Sequence, residues 1–346
     1  MGILSVPVSI IGIIDILNIK GMLSEKWINL LGIDKENGMY YWFSEIVNKT
    51  TYGEIILCGF TVIFLVIIGI QIVLFILDNL QERLLIIEHN SINQVNFKIC
   101  KEDLETYNVK HYRINQYDTF NNNMPLDEKI NLAISDVEGY VNILKEKIRK
   151  GYTIGYAGIA NIPAAFMLGY ELGDENKKKF FHIYHGNNTP DDLKDDRFHL
   201  LKVEVRRHTF ELYERENDPS KEGKILLLIQ LTQPIKEADI QDVLEDNDYI
   251  LKYQIPQTID YDIVDSDSQL DNYTNNILSH IAEIQKNPNI KQIKICVAAS
   301  GAFVFALGTK FSKTQNKETV IFHYQKDTYP WGINVTKKLP VILKEI

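Results

Sequence analysis

The sequence predicts N-terminal transmembrane α-helices followed by an α/β region of two tandem Rossmann-like units. Three observations carry that expectation. Ile55–Leu77 is an apolar run without a charge. From Arg83 onward, short apolar runs alternate with amphipathic stretches of helical period, the signature of a largely parallel sheet. Matching segments of the two halves stand at a nearly constant offset.

The first element is the membrane region, residues 1–82. Ile55–Leu77 spans 23 residues, with Thr61 and Gln71 its main polar interruptions. At 1.5 Å per residue such a helix is roughly 34 Å long, enough for a hydrocarbon core of about 30 Å. Gln71 is placed either near the interface or in a hydrogen bond between helices. Ile3–Ile19 is shorter, with Pro7 and Asp15 near its ends, and is taken as the other arm of a two-helix hairpin. It lacks the basic start and small-residue cleavage site of a signal peptide. Trp27, Tyr40, Tyr41 and Trp42 lie between, as expected at a bilayer surface. Residues 20–54 hold four lysines, whereas the 20 residues after Leu77 hold only Arg83. The positive-inside rule therefore puts the linker, not the large domain, in the cytoplasm.

The second element is the repeat, with halves at 83–222 and 223–346. The first half reads as strand Leu84–Glu88, helix Leu126–Lys150, strand Thr153–Ala157, helix Ile162–Leu172 and strand Phe180–Tyr184. The second reads as strand Ile225–Leu231, helix Leu270–Lys286, strand Ile293–Val297, helix Ala302–Phe311 and strand Val320–Tyr324. Ile86 and Ile225, Phe166 and Phe305, and Leu168-Gly169 and Leu307-Gly308 are all 139 residues apart (225 − 86). The long helices match at 140, as Val137 with Ile277, Val141 with Ile281 and Leu144 with Ile284. Phe198–Glu216 reads as a strand pair between the halves, and 214–222 as a charged turn.

Composition narrows the chemistry. A net charge of −9 disfavours binding to long nucleic acid. Cys58, Cys100 and Cys296 are too few and too scattered for a disulfide framework or a CxxC metal site. His182 and His185 have no partner at metal-ligand spacing, so neither a metal nor a cofactor is expected. In open α/β sheets, ligands sit beyond the strand ends where helix N-termini point. Two small-residue turns occupy such places, Ala157-Gly158-Ile159-Ala160-Asn161 and Ala298-Ala299-Ser300-Gly301-Ala302. Their backbone N–H groups can approach a phosphate closely. Neither is a Walker or dinucleotide motif. Polar groups end the next strands, Tyr184, His185 and Asn187 in one half and His323, Tyr324 and Gln325 in the other; the His, Tyr and Asn among them suit stacking on bases or bonding to their edges. Lys310, Lys313, Arg206 and Arg207 are candidate sources of positive charge. Ser300 stands where a hydrolase nucleophile would, with His323 and Asp327 downstream, but Ala replaces both glycines of GxSxG. No catalytic residue is assigned.

TIGYAGIANIPAAFMLGYELG, KKKFFHIYHGN, IKICVAASGAFVFALGTKF and TVIFHYQKDTYPW resemble the SAVED domain, the ligand-sensing module of bacterial CBASS anti-phage systems. The resemblance covers roughly 83–346. It implies two fused CARF-like units and a cyclic oligonucleotide ligand made by a partner CD-NTase. It implies a ligand lying across both halves, with Gly158, Asn161, Ser300 and Gly301 at the turns and Tyr184, His185, Tyr324 and Trp331 as stacking or edge contacts. With the membrane region, it implies a multi-pass inner-membrane effector whose SAVED domain faces the cytoplasm, because ligand and synthase are cytosolic. Ligand-driven homo-oligomerisation would gather the helices and damage the bilayer. The rivals are an anchored adaptor without membrane damage and a membrane-bound hydrolase.

Overall fold

The computed structural model describes residues 52–185, 196–201, 211–216, 223–255 and 262–344. The chain forms two compact units, Met1–Gln81 and Glu82–Ile346. In the first, helix α1 (Tyr52–Leu80) contains the uncharged run and has no basic residue in its last turn. Its side chains are described at Gly59 and over 61–74, where Ile63, Phe64 and Leu74 are exposed. Among the described residues, no helix is long and apolar enough to cross a membrane. The expected arm 3–19 and the aromatic linker lie outside the described residues.

The second unit holds two mixed sheets. The first has the order β2-β1-β3-β4-β5, from β1 (Glu82–Asn90), β2 (Tyr107–Asn115), β3 (Thr153–Ile159), β4 (Lys178–His182) and β5 (His199–Leu200). The second has the order β12-β11-β10-β9-β7-β8-β6, from β6 (Glu211–Glu216), β7 (Gly223–Gln230), β8 (Tyr249–Gln254), β9 (Ile290–Ala298), β10 (Glu318–Gln325), β11 (Thr328–Asn334) and β12 (Leu339–Ile342). Each sheet contains the same four-stranded parallel core, β2-β1-β3-β4 in one and β8-β7-β9-β10 in the other. The strand register does not follow the 139-residue offset: Ile86 pairs with Gly155 but Ile225 with Ile293, one residue short, and Ile86 faces the second cluster of the first sheet whereas Ile225 faces the main core, so the two are not structural counterparts.

Each central strand is buried on both faces, as parallel strands between layers are. Leu85 and Ile87 join the main core while Leu84 and Ile86 point into a second cluster with Phe97, Phe181 and Phe198. Ile225, Leu227 and Ile229 repeat this division against Leu226 and Leu228. Helices α2 (Leu126–Arg149) and α4 (Asp267–Ile284) are amphipathic and bury Val137, Val141 and Leu144, and Ile277, Ile281 and Ile284. The first turn of α2 carries Asp127 and Glu128 and its last turn Lys147 and Arg149, matching the helix dipole. Gly151, at φ 82°, ends it in the left-handed conformation.

Helices α3 (Ile162–Leu172) and α5 (Gly301–Lys310) are apolar all round and almost wholly buried. They pack on each other, and each also packs on a strand of the opposite half, α3 on β10 and α5 on β3.

The structure differs from expectation in several places. β2 and β8 complete the parallel cores, and β11 and β12 extend the second sheet as antiparallel strands. The segments of the expected pair in Phe198–Glu216 separate, β5 joining β4 and β6 joining β8. β6 runs through Glu216, so the charged run begins inside a strand. The strand expected at Phe180–Tyr184 ends at His182. Asn187, Arg206 and Arg207 lie outside the described residues.

Candidate functional site

The site is built from the carboxyl ends of β3 and β9. Tyr156, near the end of β3, lies flat on Phe305 of α5, with ring centroids 4.2 Å apart and planes at 5°. Its hydroxyl reaches Nδ1 of His89 at 3.2 Å, and Nε2 of His89 reaches Gln116 Oε1 at 3.1 Å. The Gln116 amide nitrogen donates to the Ala133 carbonyl. That leaves Gln116 Oε1 as an acceptor, so His89 donates from Nε2 and accepts the tyrosine proton at Nδ1. Burial holds the His89 pKa near 4, which keeps the ring neutral.

This buried chain shapes the first turn. A Cβ on Gly158 would stand 2.3 Å from the Tyr156 hydroxyl, so no side chain fits there. The second turn meets the first. A Cβ on Gly301 would stand 2.7 Å from the Gly158 carbonyl oxygen. Turns from the two halves thus touch, and both helix N-termini open beside the contact. Ser300 caps α5, its Oγ accepting from Phe303 N–H at 3.4 Å. Asn161 is buried at the N-terminus of α3, and its backbone N–H donates to Ser91 Oγ at 2.6 Å.

Two cavities adjoin at Ile92, which lines both. The smaller, about 320 Å³, is walled by Gly158, Ser300, Gly301 and His185, with Phe198 behind them. The larger, about 660 Å³, takes Asn161, Tyr324 and Trp331. Both volumes lie in the range of small-molecule pockets. Among the described residues no Asp or Glu lines either, while Lys129 and Lys326 line the larger. With two helix N-termini, this suits an anionic ligand.

Tyr184 departs from its expected place. It is only 4% exposed, packs edge-on against His182 with centroids 5.1 Å apart, and lines neither cavity. β4 ends at His182, two residues before it, and the Tyr184 ring packs between those of His182 and His199. Trp331 is also buried and lies parallel to Phe120, so it forms a wall rather than an open stacking face. Tyr324 is half-buried, with its hydroxyl donating to Asp327 at 3.3 Å. His185 is exposed, and its backbone N–H and the His182 ring both meet Asp262 Oδ1 from the other half.

Lys310 and Lys313 line neither cavity. Lys310 pairs with Asp174 and Asp271, and Lys313 with Glu171. Ser300 and His323 line different cavities. Sequence reasoning missed Lys129, Lys326 and Phe120, while Gln325, singled out with His323 and Tyr324 as strand-end polarity, does line the larger cavity. Lys326 and Asp327, at φ 51° and 61°, form the tight turn between β10 and β11, a hairpin whose second strand was not expected. His323 Nδ1 is buried without a hydrogen-bond partner, and burial lowers its pKa to about 4.

The family model for the SAVED domain, described as a SMODS-associated sensor domain fused to various effectors, matches residues 139–335. Solved structures similar to this chain include an Acinetobacter baumannii Cap4 SAVED/CARF-domain containing receptor with the cyclic trinucleotide 2'3'3'-cAAA. It is 12% identical at a TM-score of 0.46, over 72% of this chain and 50% of that one. The same receptor with 3'3'3'-cAAA is 13% identical at 0.46, over 70% and 50%. A Moraxella osloensis Cap4 receptor is 11% identical at 0.37, over 72% and 49%. The chain thus spans about half the length of the receptors it matches. No curated protein matches it.

Proposed function

The chain belongs to the SAVED family of sensor domains, and from that premise we propose that it is a membrane-anchored receptor for a cyclic oligonucleotide made by a CD-NTase synthase. Ligand binding drives homo-oligomerisation, and the gathered helices disrupt the inner membrane in anti-phage defence. The sensor domain faces the cytoplasm, and catalysis plays no part. One observation carries the ligand assignment. The Gly158 and Gly301 turns, one from each half, touch beside two adjoining cavities that no carboxylate lines among the described residues. Phosphates fit the backbone N–H groups of the turns and the helix N-termini. Bases fit the aromatic and amide groups of the larger cavity, among them Tyr324 and Gln325.

The anchor rests on the sequence of Ile55–Leu77, 23 residues without a charge. Oligomerisation then couples ligand affinity to helix association.

The test uses the full chain, in detergent and in liposomes, against a panel of cyclic di-, tri- and tetranucleotides. Calorimetry, light scattering and dye release are read on the same preparations. One panel member is expected to bind, raise the particle mass and release dye. Binding with mass growth but no release would replace membrane disruption with the anchored-adaptor function. No binding to any member would end the ligand assignment.

A further inference from the structure

The outer face of the first sheet carries a cluster that the candidate site does not use. Between β1 and β2 the chain folds back as a strap, and Phe97 lies on Phe198 with ring centroids 5.2 Å apart. Backbone bonds tie the strap to the segment entering β5. Phe198 N–H donates to the Lys98 carbonyl at 2.7 Å and Cys100 N–H to the Phe198 carbonyl at 2.9 Å. A single 3₁₀ turn, Glu102–Leu104, then swings Asp103 beside β5, where its Oδ2 accepts from Leu200 N–H at 2.9 Å.

These bonds bring together three donors of different chemistry. Cys100 Sγ, a carboxylate oxygen of Asp103 and a ring nitrogen of His199 all lie within 4.8 Å of one another, and His199 Nδ1 is 3.7 Å from Asp103 Oδ2. Cys100 and His199 are each 5% exposed. A fourth donor is at hand, since Glu102 Oε2 is 2.9 Å from Cys100 Sγ and is steadied by Arg197. Ligands on a tetrahedral zinc ion lie about 3.3–3.8 Å apart, given bonds of about 2.0–2.3 Å. The observed spacing needs only a small contraction, and the backbone that sets it is already fixed.

We propose that Cys100, Asp103 and His199 form a structural Zn²⁺ site, with Glu102 or water in the fourth position. A thiolate and an imidazole select zinc over the oxygen-preferring Mg²⁺ and Ca²⁺. Without an ion the thiol keeps its proton, because burial first, then the Glu102 and Asp103 carboxylates, push its pKa up to about 11. Binding exchanges that proton for a Zn–S bond and releases it to solvent. The ion staples the strap to β5, a strand of two residues held through Phe181 and His182. Phe198, the residue before β5, lines the smaller cavity, so the staple also fixes that wall. The sequence hides the site because His199 is far along the chain from Cys100 and Asp103. The inference stands independently of the cyclic-oligonucleotide proposal.

The test is metal analysis and Co²⁺ titration of the full chain in detergent. One zinc per chain is expected as purified. After chelation, Co²⁺ should give a sulfur-to-metal charge-transfer band that saturates at one equivalent and a released proton. Cys100→Ser should abolish the band. Asp103→Asn, which keeps an acceptor for Leu200 N–H, should weaken Co²⁺ affinity at least tenfold with unchanged circular dichroism. A Co²⁺ titration without the band, or a band that survives Cys100→Ser, overturns the site.

Discussion

Gly169 of α3 lies against the backbone of Phe305 in α5, where a Cβ on residue 169 would stand 2.1 Å from the Phe305 carbonyl oxygen. The contact is reciprocal, since a Cβ on Gly308 would stand 2.2 Å from the carbonyl oxygen of Phe166. The duplicated residues thus meet each other across the approximate two-fold relation of the halves. Backbone cannot retreat as a side chain can, so Gly308→Ala is expected to cost about 1–3 kcal/mol or more. Gly139 is the control, because it sits on the exposed face of α2 with nothing within 4 Å of an added Cβ. Gly139→Ala should stabilise by about 0.5–1 kcal/mol. Urea unfolding of both variants checks the pair, and a Gly308→Ala protein as stable as wild type would contradict the close crossing.

Much of this architecture is legible in the sequence. α3 occupies the expected Ile162–Leu172, because a small-residue turn and Pro163 start it and Gly173 stops it. The offset of 139 between Phe166 and Phe305 reappears as symmetric packing. β2 escaped notice because it is an edge strand in which Lys110, His111 and Arg113 are all exposed, breaking any alternation, with Glu88 joining His111 and Arg113 across the pair. The larger cavity was half legible. Tyr324 follows a recognisable strand, but Lys326 depends on a hairpin turn, and Lys129 on the position of α2. The touching of Gly158 and Gly301 is a tertiary fact that no local pattern encodes.

Tyr324 offers the accessible aromatic surface of the larger cavity, whereas Trp331 is committed to Phe120. Under the proposed function, Tyr324→Ala is therefore expected to weaken cyclic-oligonucleotide binding by about 1–3 kcal/mol, roughly 5- to 150-fold in Kd, with unfolding unchanged within about 0.5 kcal/mol. Calorimetry on the full chain measures the first and thermal unfolding the second. An unchanged Kd would place the base contacts elsewhere.

His89 and His323 both have pKa values lowered by burial to about 4. The sign follows from the unfolded chain, whose histidines titrate near 6.5. Above about pH 6.5 neither state takes the proton and stability is full. As pH falls from 6.5 toward 4, only the unfolded state is protonated, so stability declines. Each histidine should contribute a loss of about 2 kcal/mol between pH 7 and pH 5. His89→Gln should flatten the profile by about that amount, whatever its effect at pH 7. Parallel urea curves at the two pH values decide it, and an unaltered slope would mean that His89 is not the buried neutral ring described.

Lys294 provides a test of the second half alone. It is 3% exposed, and its Nζ lies 2.5 Å from Oδ2 of Asp248, itself 1% exposed, while also donating to the Val243 carbonyl at 2.6 Å. These contacts tie β9 to the connection between β7 and β8. Lys294→Met keeps the side-chain length but leaves the Asp248 carboxylate buried without its cation, an expected cost of about 3–5 kcal/mol. Burial already raises the Asp248 pKa, and losing the lysine should raise it further, so the variant recovers stability as pH falls and Asp248 takes a proton. Lys291, three residues earlier on the same strand, is exposed, and Lys291→Met should change stability by less than about 0.5 kcal/mol. Equal losses in the two variants, or a Lys294→Met deficit that does not narrow in acid, would show that the buried pair is not what holds this edge of the core together.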